Sequence, residues 1–153
     1  MSSIVDSLYE MKYNPFIYGE CVAMFYASLQ NVERNLLLSP LIIPLCSHGL
    51  YKEKISSAVF GEKRSSSIWT IFSEKEKLFD LQERINGFEE LTELSIQYAL
   101  VNDWITIDEN NLMVLSGDLP EKNIQANKCA KNLGKLFSGL DPVKIYKALG
   151  VTP

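Results

Sequence analysis

At 153 residues, 46% hydrophobic and 22% charged, the chain has the material for one compact soluble domain or two very small ones. Its eight glycines and six prolines are too few and too scattered for a collagen, a mucin stalk or a disordered tail. The formal net charge of −4 hides a gradient: four bases face five acids in residues 1–60, five face twelve in 61–120, and six face two in 121–153. A basic end therefore follows an acidic body, and a pI near 5.1 argues against a general nucleic-acid coat, whose affinity needs Lys and Arg over phosphates.

Asp6 and Glu10 precede the first lysine, Lys12, so the basic start of a secretory signal is lacking. Asn14-Pro15 reads as a helix start, Asn as the cap and Pro in the first turn, where its missing N–H costs nothing. Behind it Phe16, Ile17, Val22, Met24, Phe25 and Leu29 are too densely apolar for a narrow stripe, which predicts a largely buried helix. Ser39-Pro40 repeats the start signal for a second helix, with Pro44 shortening or kinking it. The apolar run Leu36 to Cys46 spans eleven residues, well short of the roughly 20 that a membrane helix needs, and it is broken by Ser39, Pro40 and Pro44. A third short helix is expected over Lys52 to Phe60.

Gly61 to Ser67 is a polar break that leads into a helix carrying Ile68, Trp69, Ile71 and Phe72. Helical spacing continues over Glu74 to Ile85, stops at Asn86-Gly87, and resumes from Phe88 to Val101. The period then switches. Trp104 to Ile107 and Leu112 to Leu115 are β-forming runs around the turn residues Asp108-Glu109-Asn110-Asn111, which predicts a short hairpin. Helix, helix, hairpin is the order of a winged helix. From Ile124 a helix is expected with Cys129, Ala130, Leu133, Leu136, Phe137 and Leu140 on one face and Lys128, Lys131 and Lys135 on another. Asp141-Pro142 then caps a last helix through Leu149, stopped by Gly150. The expected fold is mainly α with a short β-hairpin (α+β): a helical N-terminal part (1–62), a winged-helix-like centre (63–118) and basic C-terminal helices (119–153), together one unit.

Catalytic patterns are sparse. His48 is the single histidine and is read as an ordinary helix-end residue near the last carbonyls; Cys46, two positions away, would face elsewhere on a helix. Cys21, Cys46 and Cys129 lack paired spacing, sit among apolar neighbours and read as reduced, buried thiols of a cytoplasmic protein. No GxxxxGK[ST] or GxGxxG occurs. The acids from Glu74 to Glu93 are read as a solvated face, with a carboxylate dyad the sharper alternative. The expectation is a protein without catalytic residues, metal or cofactor. A winged helix reading DNA would use Phe88 to Asp103, which carries Glu89, Glu90, Glu93 and Asp103 and no base, so protein docking is the better use of that region. The Lys128, Lys131 and Lys135 stripe is either a solvated face or a contact for an acidic protein surface or for DNA phosphates held by a partner.

Five segments carry a resemblance: Tyr13-Asn14-Pro15-Phe16, the run from Leu37 to Leu45, Arg64 to Trp69, Ala130 to Phe137, and Ile145 to Val151. Together they resemble the middle component of bacterial three-component ABC-ATPase systems, a group that includes the small subunit of Lamassu-type defence. The resemblance implies a non-enzymatic adaptor beside an SMC- or Rad50-like ATPase and an effector, often a nuclease, acting against phages or plasmids and touching DNA only through the complex. A kleisin-like bridge is its sharper form, and a winged-helix transcriptional regulator is the alternative. The residues expected to meet partners are Asn14, Pro15, Phe16, Arg64, Trp69, Lys128, Lys131, Lys135, Phe137 and Tyr146, with Phe137 and Tyr146 as apolar anchors.

Overall fold

The computed structural model describes residues 3–119 and 127–153; the expected helix start at Ile124 lies outside them. Helix α1 spans Ile4–Lys12 and α2 Pro15–Ser28. A 3-10 turn over Asn35–Leu38 leads into α3, Ser39–Cys46, followed by α4, Gly49–Ser56, and the short α5, Ile68–Ile71. A second 3-10 turn, Lys75–Leu78, precedes α6, Leu81–Gly87, and α7, Glu89–Val101. Strands β1, Ile105–Asp108, and β2, Met113–Ser116, pair antiparallel with Ile105 opposite Ser116 and Asp108 opposite Met113. Helices α8, Lys128–Phe137, and α9, Pro142–Leu149, close the chain. The mainly helical fold with one hairpin is as the sequence pattern implies, and no helix among the described residues is long and apolar enough to cross a membrane.

Helix α2 is the central element because it is apolar all round: every residue from Cys21 to Tyr26 is buried. It packs chiefly against α7 on one side and α8 on the other. Both crossings are close enough to require glycine. A Cβ on Gly19 would stand 2.6 Å from Tyr98 Cδ1, and one on Gly134 would stand 2.5 Å from the Phe25 carbonyl oxygen. One apolar cluster runs from Cys21 through Leu41, Ile85, Ile105 and Phe137 to Val151.

The hairpin joins that core through Ile105 and Val114, and one buried polar side chain pairs with its backbone. Asn35 is buried, its Oδ1 accepts from Val114 N–H, and its Nδ2 donates to Val114 O at 3.1 Å, so an amide side chain pairs with the outer edge of β2 as a neighbouring strand would. Leu36 N–H donates to Leu112 O at 2.9 Å beside it.

Two of the expected helices have other bounds. The third helix spans Gly49–Ser56 rather than Lys52 to Phe60: His48 caps its start, its Nδ1 accepting from Tyr51 N–H at 3.4 Å, and Phe60 lies beyond its end in an antiparallel bridge with Ser65. His48 thus joins two helices: its N–H donates to Leu45 O at 3.4 Å at the carbonyl end of α3, as the helix-end reading has it, while its ring caps the start of α4. The helical pattern over Glu74 to Ile85 is divided into a 3-10 turn and α6, which lets Leu78, Leu81 and Ile85 all turn inward.

Candidate docking surface

The most exposed apolar feature is α1. Ser3 and Asp6 form a reciprocal capping box at its start, each backbone N–H donating to the other's side chain at 3.1 Å. Behind that cap Ile4, Val5, Leu8 and Met11 are 80%, 73%, 59% and 71% exposed, and no residue of α1 is buried. Ile4, Leu8 and Met11 follow the i, i+4, i+7 spacing of a helical seam. Nine residues are too few to hold a helix in water by themselves, so its attachment to the rest of the chain matters. The attachment lies at its end. Asn14 Nδ2 donates to Met11 O at 3.0 Å, while Asn14 Oδ1 accepts from Ile17 N–H at 3.1 Å, so one residue finishes α1 and caps α2. The Tyr13 ring stands 5.2 Å from Phe88 and stacks 6.3 Å from Tyr18, joining the helix to α7 and α2.

The ten residues expected to meet partners fall into two groups. Pro15 is the first residue of α2, and Phe16 beside it is 66% exposed, its ring edge-on to Tyr98 at 5.0 Å. Trp69 on α5 is more than half exposed. Arg64 is exposed in the turn closed by a Phe60–Ser65 bridge, and Lys135 Nζ lies 5.3 Å over the Phe60 ring, so the fold brings Lys135 beside the turn that carries Arg64. Lys128 is exposed and Lys131 half-buried on the same helix.

Phe137 and Tyr146 require a correction. Phe137 is wholly buried and packs edge-on to Phe25 at 6.0 Å. The Tyr146 hydroxyl donates to Leu37 O at 2.7 Å, and burial pushes its pKa up. Both anchor the core, not a partner. Helical spacing marks an apolar face but does not say what covers it. Exposed apolar side chains lie instead on α1, where the Ser3-x-x-Asp6 box and the 4, 8, 11 spacing are both local features of the sequence.

No nucleophile among the described residues is hydrogen-bonded to His48. Its Nε2 faces Asp80 Oδ1 at 3.7 Å, whereas the neighbouring Ser47 hydroxyl donates to Ile43 O and accepts from Arg84. The three cysteines are not isolated, as their spacing suggested. Cys21 from α2, Cys46 from α3 and Cys129 from α8 line one cavity of about 80 Å³. Hydrogen bonding with the Cys129 and Cys21 thiols, and burial, push the Cys46 thiol up, which keeps it protonated and a poor nucleophile. The described residues bring together no group of three or more His, Cys, Asp or Glu able to hold a metal ion.

A family model described as ABC-three component (ABC-3C) system Middle Component 3 matches residues 2–153. The chain belongs to this family. No curated protein and no solved structure matches it. As a middle component it is one part of a multi-component ABC system, so partner proteins are implied.

Proposed function

We propose that this middle component is a non-catalytic, cytoplasmic adaptor in a bacterial defence complex of the Lamassu kind, joining an SMC- or Rad50-like ABC ATPase to an effector subunit, often a nuclease, against phages or plasmids. The observation that carries the reading is α1, which exposes Ile4, Leu8 and Met11 at seam spacing, with Val5 beside them, on a chain whose family is a component of a multi-component system. Its occupant is an amphipathic helix of the ATPase subunit, because Ile4, Leu8 and Met11 present the spacing that a facing helix fills. The basic surface of Lys128, Lys135 and Arg64 meets the acidic surface of the effector and acts chiefly on association rate. With both surfaces occupied the chain is a kleisin-like bridge. The centre made of α6, α7 and the hairpin serves in this reading as a winged-helix-like docking module: α7 buries Thr92, Ser95 and Ala99 and exposes Glu89, Glu90 and Glu93, which opposes a DNA groove.

Co-expression of the three subunits with a tag on the ATPase tests this. The middle component is expected to co-elute with both others; if it elutes alone while they form a complete complex, the adaptor reading fails. Cross-links that place α1 and the Lys135 surface on one partner patch exclude the bridge.

A further inference from the structure

The start of α2, the outer face of α7 and the entry to β1 meet at an aromatic ladder. The Phe16 ring stands edge-on to Tyr98 at 5.0 Å, and Tyr98 stands edge-on to Trp104 at 5.4 Å. Tyr98 is held from behind, because the α2 backbone comes so close that a Cβ on Gly19 would stand 2.6 Å from its Cδ1. On α7, Leu94, Tyr98 and Val101 fall at i, i+4 and i+7, the spacing of a second seam. Leu94 is 41% and Val101 82% exposed, on the side where a solvated helix carries polar residues. Phe16 is exposed beside them. A contiguous apolar patch with its central ring fixed in place marks an interaction surface, since little freedom is lost when it is covered.

Charge decides what covers it. Neither α2 nor α7 contains a Lys, Arg or His, and none occurs between Arg84 and Lys122. The charges at the rim are acids: Glu20 lies one turn after Phe16 on α2, Asp103 directly precedes Trp104, and Asp118 N–H donates to Asp103 O at 3.0 Å. None of these three is in an ion pair among the described residues. A negative rim without bases repels nucleic acid and anionic lipid, and a second copy pairing through the same face would set acid against acid. The seam spacing suits a facing helix, and the rim asks for positive charge on either side of that helix's apolar stripe. We propose that the face of Leu94, Tyr98 and Val101, flanked by Phe16 and Trp104, receives an amphipathic helix with basic flanks presented by a partner subunit. The source of that helix rests on the adaptor reading, whose docking module of α6, α7 and the hairpin thereby gains a surface separate from α1.

The chain has two tryptophans, so Trp69→Phe leaves Trp104 as a reporter inside the patch. This full-length variant is titrated with the amphipathic peptide Ac-LKKLLKLLKKLLKL-NH2 and with its counterpart carrying glutamate for every lysine. The lysine peptide is expected to shift Trp104 emission to shorter wavelength, saturably, at least tenfold more tightly than the glutamate peptide, and more weakly as salt rises. Adding L94Q/V101Q is expected to weaken that binding at least tenfold while the Tm stays within a few degrees, because both side chains are exposed. No saturable shift, or equal binding of the two peptides, overturns the basic helix; binding unchanged in L94Q/V101Q overturns the surface. A dimer of the free chain that L94Q/V101Q splits would put a second copy on this face and overturns the assignment to a partner. In the co-expressed complex, L94Q/V101Q is expected to weaken retention of the middle component at least tenfold. Unchanged retention overturns this inference and leaves the adaptor reading standing; a wild-type chain that joins no complex overturns the adaptor reading itself.

Discussion

Truncating α1 separates a docking helix from a structural one. Ile4→Ala and Leu8→Ala each remove three carbons, and a buried methylene contributes about 0.8 kcal/mol. In the free chain Ile4 is 80% and Leu8 59% exposed, so those are the fractions a partner has left to cover. The losses on binding are then about 2 and about 1.4 kcal/mol, or roughly 25-fold and tenfold in Kd, and about 300-fold together where the two add. Alanine is at least as good a helix former as either residue, so the helix itself is not weakened. Because no residue of α1 is buried, the Tm of the isolated chain is expected to move by no more than surface substitutions allow, about 0.5 kcal/mol or 1–2 °C. Titration calorimetry against the purified ATPase subunit, with parallel thermal melts, measures both quantities. Affinity held within twofold while the Tm falls by several degrees would mean that this face packs within its own chain, and the docking argument would collapse.

Three further outcomes follow from the packing and the hairpin. Gly134→Ala is expected to lower stability by about 1–3 kcal/mol despite the better helix propensity of alanine, since the added methyl meets the Phe25 carbonyl oxygen and the Ser28 Cβ; denaturant titration reads it, and a gain in stability would contradict the α2–α8 contact. Asn35→Ala leaves the N–H and C=O of Val114 without their partner and is expected to cost about 1–3 kcal/mol, with faster amide exchange concentrated in β2; protection that stays unchanged would show the hairpin to be held otherwise. Hydrogen bonds from the Asn111 side chain at 2.7 Å, and from the backbone of Asn111 and Asn110, hold the Asp108 carboxyl below the usual carboxylate range. A depressed carboxyl stabilises the fold above its unfolded pKa, about 3.9, and that contribution is lost as pH falls through the lower folded value. The 108–111 turn is therefore expected to loosen under acid in the wild type and not in Asp108→Asn, as followed by NMR of the turn amides across that range.

Most of the element order was legible in the sequence because it is written over three or four neighbouring residues. Asn14-Pro15 starts α2, Asp141-Pro142 starts α9, Gly150 ends it at φ +71° where a side chain would be strained, and Asp108 to Asn111 turn the hairpin, all by contacts that close within a few positions. The α1 cap, Ser3 with Asp6, is local in the same way. What the sequence could not decide is which apolar faces meet each other. Phe137 and Tyr146 share the spacing of an interface stripe, but α8 and α9 turn them onto Phe25 and Leu37, more than a hundred residues earlier in the chain. The three cysteines look solitary until α2, α3 and α8 cross. Capping and turn chemistry act through the backbone of a few residues and so belong to the sequence; burial depends on how helices distant in the chain approach, and only tertiary packing sets that.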